Sequence, residues 1–188
     1  VYDNELKLKK YHAMADKVIC VSKMNADRVK IDVPDIKFAG YCYNPIDEMN
    51  ILQKGMEAAD LEIKNKGVRF VTVGRLSEEK GYFRLISILA RLKKEGYDFS
   101  LVIIGDGHER EKLLKHCDEL NMNDRVVFLL EQKNPFKYVS KSDAFICSSF
   151  EEGYSTACTE ACILNVPVVT TSVGGAEEII NDAGCGLL

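Results

Sequence analysis

Apolar and polar residues follow a regular alternation from Gly67 to the end of the chain. Short apolar runs, typical of strands buried in a parallel sheet, alternate with longer segments in which apolar residues recur at helical spacing. The short runs predict strands near 68–73, 100–104, 125–129, 144–147 and 167–171, with helices between them, one of which is residues 82–95. Strands that alternate with helices indicate an α/β fold, built on a Rossmann-like, doubly wound parallel sheet.

The pattern before Gly67 is less regular and predicts a different organisation. Residues 1–47 resemble the tail of a preceding domain, and residues 48–66, which are rich in charged side chains, resemble a connection between domains. The chain begins with Val1 instead of Met, and its last residues, 186–188, are expected to start another strand. We therefore expect a fragment whose last unit, residues 67–188, is truncated at its C-terminus.

Composition and charge narrow the classes of protein that fit this pattern. With 188 residues, 46% of them hydrophobic, the chain can bury one good core. Its net charge of −4, with the acidic residues spread along the chain, argues against a nucleic-acid partner. A basic cluster could contact an anionic membrane or could be a solvated helix face; it comprises Lys7, Lys9, Lys10 and Lys17. The seven cysteines form no Cys-x-x-Cys pair, which favours core residues in a reducing cytoplasm over zinc binding or redox chemistry.

Two glutamates, Glu152 and Glu160, are separated by seven residues just after the predicted strand at 144–147. The first lies in a polar loop and the second lies inside the next predicted helix, so both can face one crevice at the end of the sheet. A loop carboxylate suits sugar hydroxyls, and a carboxylate in the helix suits a ribose diol. The free amides at the helix start suit phosphates, and they belong to Ser155, Thr156 and Ala157. Alternatively, the spacing is accidental and Glu160 only complements the helix N-terminus.

Two basic residues, Arg75 and Lys80, follow the predicted strand at 68–73, and Lys80 is expected to start the next helix. Packing does not explain two cations at the mouth of a parallel sheet, whereas a diphosphate does. Arginine offers a planar fork of donors and lysine a point charge, so the two complement each other as phosphate ligands. The alternative is a solvated loop that happens to be basic.

Together these motifs resemble the retaining glycosyltransferases of the GT-B fold, and in particular the glycosyltransferase group 1 family, which carries a Glu-x7-Glu motif and an Arg…Lys pair in its C-terminal domain. Other stretches are similar to that family in the same order, and they include residues 101–107, 134–139, 142–149, 165–171 and 174–180. The Glu-Gly-Tyr-Ser-Thr-Ala-Cys-Thr-Glu variant is most similar to bacterial enzymes that build capsule, exopolysaccharide or lipopolysaccharide. The resemblance makes residues 1–47 a remnant of the N-terminal acceptor domain and residues 67–188 the nucleotide-sugar (donor) domain.

The resemblance implies transfer of a hexose from a nucleotide sugar to a glycan or lipid-linked acceptor, with retention of the anomeric configuration. It assigns catalytic roles to Arg75, Lys80 and Glu152, the two cations stabilising the departing diphosphate and the carboxylate holding the sugar. The implied donor-binding residues are Gly74, Gly153, Tyr154, Ser155, Thr156, Glu160, Glu131 and Gln132. Glu160 would bind the ribose, while Glu131 and Gln132 would meet the nucleobase, although the family usually has glycine near position 131.

Cofactor, location and activity follow as further expectations. No Asp-x-Asp triplet occurs, so we expect a reaction without a metal ion. The family resemblance implies that no other cofactor is needed and that the substrate is a uridine diphosphate sugar. The apolar runs are too short to cross a bilayer, and residues 1–188 contain no signal-peptide pattern. Because we expect the N-terminus to be cut, this second absence does not bear on the longer protein. We expect a cytoplasmic protein, and peripheral contact at the inner face of the plasma membrane stays open as an alternative to a fully solvated basic surface. Because the acceptor domain is missing, the chain alone is expected to bind donor weakly and to catalyse nothing.

Two readings from other classes stay open. The stretch Gly105-Asp-Gly-His-Glu-Arg110 follows a predicted strand and partly matches the fingerprint of an NAD-type dinucleotide-binding domain, but Arg110 replaces its third glycine. A non-catalytic module that binds a nucleotide sugar would keep the same site without turnover. An epimerase or phosphorylase of the same fold is a further enzymatic alternative, and the phosphorylase would need a cofactor-bearing lysine for which no motif is present.

Overall fold

The computed structural model describes Lys10 and residues 14–34, 37–61 and 67–188. Lys7, Lys9 and part of the expected connection at 48–66 lie outside the described residues. The elements, in chain order, are β1 (Val18–Cys20), α1 (Lys23–Asp32), β2 (Phe38–Tyr41), α2 (Glu48–Gly55), β3 (Val68–Val73), a 3-10 turn (Glu78–Lys80), α3 (Tyr82–Lys94), β4 (Phe99–Ile104), α4 (Arg110–Glu119), β5 (Val126–Leu129), α5 (Phe136–Val139), β6 (Ala144–Cys147), α6 (Thr156–Ile163), β7 (Val168–Thr170), α7 (Ala176–Ala183) and β8 (Gly186–Leu187).

The main sheet has six strands in the order β5-β4-β3-β6-β7-β8, and every neighbouring pair is parallel. Strand order therefore reverses beside β3: the chain first builds outward to β5 and then returns to place β6 on the other side. Phe70 pairs with Ala144 and Val71 with Phe145 across this central junction. In doubly wound sheets, ligands bind outside the carboxyl ends of the strands at such a switch point.

The predicted fold class is confirmed, and the five predicted strands match β3 to β7 to within about two residues, which is the usual uncertainty of element ends. The prediction succeeded because strands buried on both faces read as uninterrupted apolar runs. All six residues of β4 are buried. Its Leu101 and Ile103 belong to one buried cluster, and its Val102 and Ile104 belong to another, so helices cover both faces of the sheet.

The segment before α2 forms a separate two-stranded parallel sheet, in which β1 pairs with β2. Helix α1 begins after Ser22, whose side chain accepts a hydrogen bond from the Asn25 amide at 3.2 Å. This segment contacts the main sheet's helices through Glu178 of α7, whose carboxylate accepts hydrogen bonds from the Lys23 and Met24 amides at 3.0 Å and 2.7 Å. Among the helices that the structure describes, none is long and apolar enough to cross a membrane.

Candidate functional site

The loop after β3 begins with Gly74 and Arg75 and leads into the 3-10 turn that ends at Lys80. The expectation that Lys80 starts the next helix is wrong, because Gly81 adopts a left-handed conformation (φ 66°) and α3 begins only at Tyr82. Glycine is needed there for a second reason: a Cβ on Gly81 would lie 2.2 Å from the Ser148 carbonyl oxygen. The close approach brings the loops after β3 and β6 into contact.

Hydrogen bonds join these two loops along their length. The Ser148 hydroxyl donates to the Lys80 carbonyl at 2.8 Å, and the Phe150 amide donates to the Glu79 carbonyl at 2.7 Å. Arg84 of α3 donates through Nη2 to the Ser148 carbonyl at 2.7 Å. Each bond ends on a backbone carbonyl and one of them joins backbone to backbone, so the two loops are held at a fixed separation.

The Lys80 ammonium and the Glu152 carboxylate form an ion pair across the switch point. Their Nζ and Oε1 atoms are 2.7 Å apart, and the side chains are 25% and 12% exposed. Ser149 also donates its hydroxyl to Glu152 Oε1, at 2.7 Å. The sequence-predicted cation and carboxylate are thus direct neighbours in a partly desolvated position, where charge–charge interactions are stronger than in water.

Helix α6 places the second glutamate. Ser155 is its N-cap, and the side chain accepts a hydrogen bond from the Cys158 amide at 3.3 Å, so the amides of the first turn point toward the loop after β6. Glu160 lies one turn further on and is half-buried. Burial raises the pKa of the Glu160 carboxyl above its usual range. In the part of the chain that the structure describes, no side chain or amide donates a hydrogen bond to this carboxylate.

Three adjoining cavities at the carboxyl ends of the strands are lined by all eleven sequence-predicted site residues. The first, of about 250 Å³, is lined by Gly74, Lys80, Glu152, Tyr154, Ser155, Thr156 and Glu160. The second, of about 670 Å³, includes Arg75, Lys80, Glu152 and Gly153. The third, of about 450 Å³, includes Gly74, Arg75, Glu131 and Gln132. Arg75 therefore lies in the wall of both the second and the third cavity, and Lys80 and Glu152 lie in the walls of both the first and the second.

The structure adds residues to the site that the sequence reasoning missed, among them Ser149 and Cys147, which line the first cavity. A hydrogen bond from the Cys158 thiol lowers the pKa of Cys147 and raises that of Cys158, with burial opposing the first effect and adding to the second. Ser149 and Cys147 both lie in the stretch 142–149 that resembles the family, and this was the available signal, but no role was assigned to either of them from the sequence. Within the described ranges, no group of His, Cys, Asp and Glu side chains could hold a metal ion.

The segment before α2 reaches the edge of the same site. Asn25 of α1 donates through Nδ2 to the Gly153 carbonyl at 2.7 Å, and the rings of Tyr43 and Tyr154 lie 5.0 Å apart. Tyr43 also donates its hydroxyl to the Glu178 carboxylate at 2.7 Å. The loop that carries Gly153 and Tyr154 is therefore held from the side of α1 and β2 as well as from the main sheet.

Comparisons with known protein sequences consistently match this chain to glycosyltransferases. A sequence model of the family described as "Glycosyl transferases group 1" matches residues 54–188. The chain is 39% identical over 147 residues to the N-acetylgalactosamine-N,N'-diacetylbacillosaminyl-diphospho-undecaprenol 4-alpha-N-acetylgalactosaminyltransferase of Campylobacter jejuni. The aligned region covers 78% of this chain and 38% of that protein. The chain is also 32% identical over 130 residues to the lipopolysaccharide core biosynthesis glycosyltransferase LpsD of Rhizobium meliloti, covering 69% and 37%. The chain thus spans less than half the length of these curated relatives.

Solved structures show the same architecture. Sucrose-phosphate synthase from Thermosynechococcus elongatus superposes with a TM-score of 0.82 at 20% identity, covering 100% of this chain and 48% of that one. Anabaena Alr3699/HepE, solved in complex with UDP and glucose, superposes with a TM-score of 0.76 at 21% identity, covering 95% and 50%. At such low identity these superpositions establish the fold alone.

Proposed function

The chain belongs to the glycosyl transferases group 1 family, and from that premise we propose that it is the donor-binding part of a retaining, metal-independent hexosyltransferase. The reaction moves a hexose from a nucleotide sugar to a hydroxyl of a glycan or lipid-linked acceptor during surface polysaccharide synthesis. Relatives named for lipopolysaccharide core and capsular polysaccharide biosynthesis support this context. The acceptor binds mainly to an N-terminal domain, of which residues 1–47 are the end, and residues 48–66 connect that domain to the donor domain.

The observation that carries the proposal is the Lys80–Glu152 pair at the switch point, in the cavity that also receives the N-terminus of α6. A nucleotide sugar needs positive charge for its diphosphate and hydrogen-bond acceptors for its sugar hydroxyls, side by side. The Lys80 ammonium has three N–H donors, and the structure uses one of them for Glu152. The other two can serve the phosphate oxygens while the pair stays intact.

Catalysis in this site is electrostatic. As the bond between the sugar C1 and the phosphate oxygen breaks, negative charge builds on the departing diphosphate. Lys80, Arg75 and the first amides of α6 stabilise that charge more in the transition state than in the ground state, which is the condition for acceleration. These groups supply the positive charge that a divalent metal supplies elsewhere, and so the reaction proceeds without metal or cofactor.

The remaining site residues bind the other parts of the donor. Glu152, together with Gly153, Tyr154 and the backbone up to Ser155, holds the hexose at the first cavity. Glu160 accepts hydrogen bonds from the ribose diol. The third cavity, beside Gly74 and with Glu131 and Gln132 in its wall, receives the nucleobase. A uridine diphosphate sugar is the proposed donor, in line with the UDP complex of Anabaena Alr3699/HepE.

The first experiment is a thermal-shift screen of the chain against uridine, guanosine and adenosine diphosphate sugars, with NAD as the contrasting ligand. A ligand at 100 times its dissociation constant stabilises by about 2.7 kcal/mol, which is readily detected. Stabilisation by a sugar nucleotide and none by NAD is expected. Stabilisation by NAD alone would establish the dinucleotide-binding alternative, and no stabilisation by any sugar nucleotide would contradict the proposal.

The second experiment separates an enzyme from a non-catalytic binding module. In the full-length protein that contains this chain, Lys80→Met should lower transfer by a factor on the order of 10² to 10³, because one charge opposite the leaving diphosphate is lost. The far-ultraviolet circular dichroism spectrum should be unchanged. Donor binding without any product from the unsubstituted full-length protein would favour the binding module, and near-normal turnover by the variant would remove Lys80 from the mechanism.

A further inference from the structure

The two oxygens of the Glu152 carboxylate have different surroundings. Oε1 accepts hydrogen bonds from both Lys80 Nζ and the Ser149 hydroxyl, each at 2.7 Å. Oε2 receives no hydrogen bond from any residue that the structure describes. The carboxylate lines the first and second cavities, so Oε2 is the atom available to a ligand there.

Ser149 is held rigidly enough to direct its hydroxyl. Its carbonyl oxygen accepts a hydrogen bond from Thr171 Oγ1 at 2.6 Å and a longer one from Arg84 Nη2 at 3.5 Å. The Cys147 thiol donates to the Ser149 hydroxyl oxygen at 3.6 Å. A serine hydroxyl has one proton to donate, and the Glu152 carboxylate oxygen at 2.7 Å is a closer and stronger acceptor for it than the Cys147 sulfur at 3.6 Å. The residue is 2% exposed, so water does not compete for this bond.

We propose that Ser149 is a positioning residue that fixes the Glu152 carboxylate so that Oε1 serves Lys80 and Oε2 faces the hydroxyls of the donor's sugar. The inference rests on the proposed function and adds a residue to it. Lys80 alone would hold the carboxylate poorly, because two long side chains with several rotatable bonds lose much conformational entropy in a single geometry. Ser149 is short and anchored through its backbone, so it supplies the fixed point.

Loss of the Ser149 hydroxyl should weaken binding of the donor's sugar but not binding of its diphosphate. Without the Ser149 hydroxyl, the carboxylate keeps its charge and its contact with Lys80, and the diphosphate still meets Lys80, Arg75 and α6. Only the sugar loses a preoriented acceptor. Ser149→Ala should therefore weaken binding of a sugar nucleotide about tenfold, as expected for losing one hydrogen bond to a charged group, and leave binding of the free nucleoside diphosphate within about twofold.

The test is isothermal titration calorimetry on the chain with two pairs of probes, uridine diphosphate with uridine diphosphate glucose and guanosine diphosphate with guanosine diphosphate mannose. Ser149→Ala is compared with Ser149→Cys, which keeps the side-chain size but is a weak donor and should lose sugar-nucleotide affinity similarly. Ser172→Ala is the matched control, since Ser172 donates to the Glu177 carboxylate at 2.9 Å outside the cavities. It should change neither affinity.

The outcomes are distinct. A selective loss for the sugar nucleotide in both Ser149 variants supports the positioning role. Equal weakening of both probes of a pair would mean that Ser149 only maintains local structure, and unchanged affinities would mean that it does nothing for the ligand; either result overturns this inference and leaves the proposed function standing. If the unsubstituted chain binds neither pair, the proposed function fails, and this inference fails with it. Should Ser149→Ala fail to fold, Ser149→Cys decides by the same criteria.

Discussion

Removing the Lys80 ammonium should destabilise the protein through the carboxylate that it leaves behind. In Lys80→Met the aliphatic stem stays while the charge is lost. Glu152, only 12% exposed, then keeps the Ser149 hydroxyl as its one remaining hydrogen-bond donor among the residues that the structure describes. The carboxylate cannot move far, because the loops after β3 and β6 are joined by the hydrogen bonds from the Ser148 hydroxyl to the Lys80 carbonyl and from the Phe150 amide to the Glu79 carbonyl. The variant therefore contains a desolvated charge without its counterion.

The size of the effect can be bounded from the geometry. Exposed ion pairs contribute about 0–1 kcal/mol, whereas breaking a fully buried pair costs about 3–5 kcal/mol. Lys80 and Glu152, at 25% and 12% exposure, lie between these cases, so we expect a loss of about 2 kcal/mol of unfolding free energy. Adding Glu152→Gln removes the unpaired charge. The double variant should then be more stable than the sum of single effects predicts, with a coupling energy of about 1–2 kcal/mol.

The assay is urea unfolding followed by circular dichroism for the unsubstituted chain, both single variants and the double variant. Lys115→Met is the control, because its Nζ lies 3.7 Å from Glu119 Oε1 and the two side chains are 78% and 58% exposed. That variant should change stability by less than about 0.5 kcal/mol. If Lys80→Met costs no more than Lys115→Met, or if the cycle is additive, the Lys80–Glu152 pair does not act as a desolvated unit and the reasoning is refuted.

Three further predictions use other parts of the structure. Gly105→Ala should cost about 3 kcal/mol in the same unfolding assay, because Gly105 has φ 145° and a Cβ there would lie 2.0 Å from the Gly74 carbonyl oxygen; a cost below about 1 kcal/mol would contradict this. Burial raises the pKa of Glu160, so its carboxylate is neutralised at a higher pH than usual. Donor affinity should therefore fall more between about pH 7 and pH 5 in the unsubstituted chain than in Glu160→Gln. Parallel pH profiles of the two proteins would show that the charge of Glu160 does not contribute to donor binding. Burial tends to raise the pKa of Glu178, but hydrogen bonds from the first amides of α1 and the Tyr43 hydroxyl hold it below its usual range. A lowered pKa stabilises the folded state above the ordinary pKa and loses that contribution as pH falls, so the stability difference between the unsubstituted chain and Glu178→Gln should shrink between about pH 5 and pH 3; a constant difference would show that the charge does not matter.

Much of the fold and the outline of the site could be predicted from the sequence. Uninterrupted apolar runs marked β3 to β7, since a strand buried on both faces needs apolar residues at every position. The residues after β3 and β6 could be placed at one edge because the carboxyl ends of parallel strands share that edge. That argument alone suggested that Arg75, Lys80, Glu152 and Glu160 would lie around one recess, as they do.

The tertiary structure decided which atoms meet. Strand β6 lies beside β3, while β4 and β5 lie on the other side of β3. The alternation of strands and helices along the sequence does not determine this strand order. Only that order puts the loop of Lys80 against the loop of Ser149 and Glu152, about seventy residues later in the chain. The contact between Asn25 and Gly153 spans 128 positions and has no local signature at all. The local pattern of apolar residues indicates which face of an element is buried, because burial acts on each residue separately. A hydrogen bond between residues far apart in the sequence depends on how all the elements between them pack, so it forms only in the folded chain.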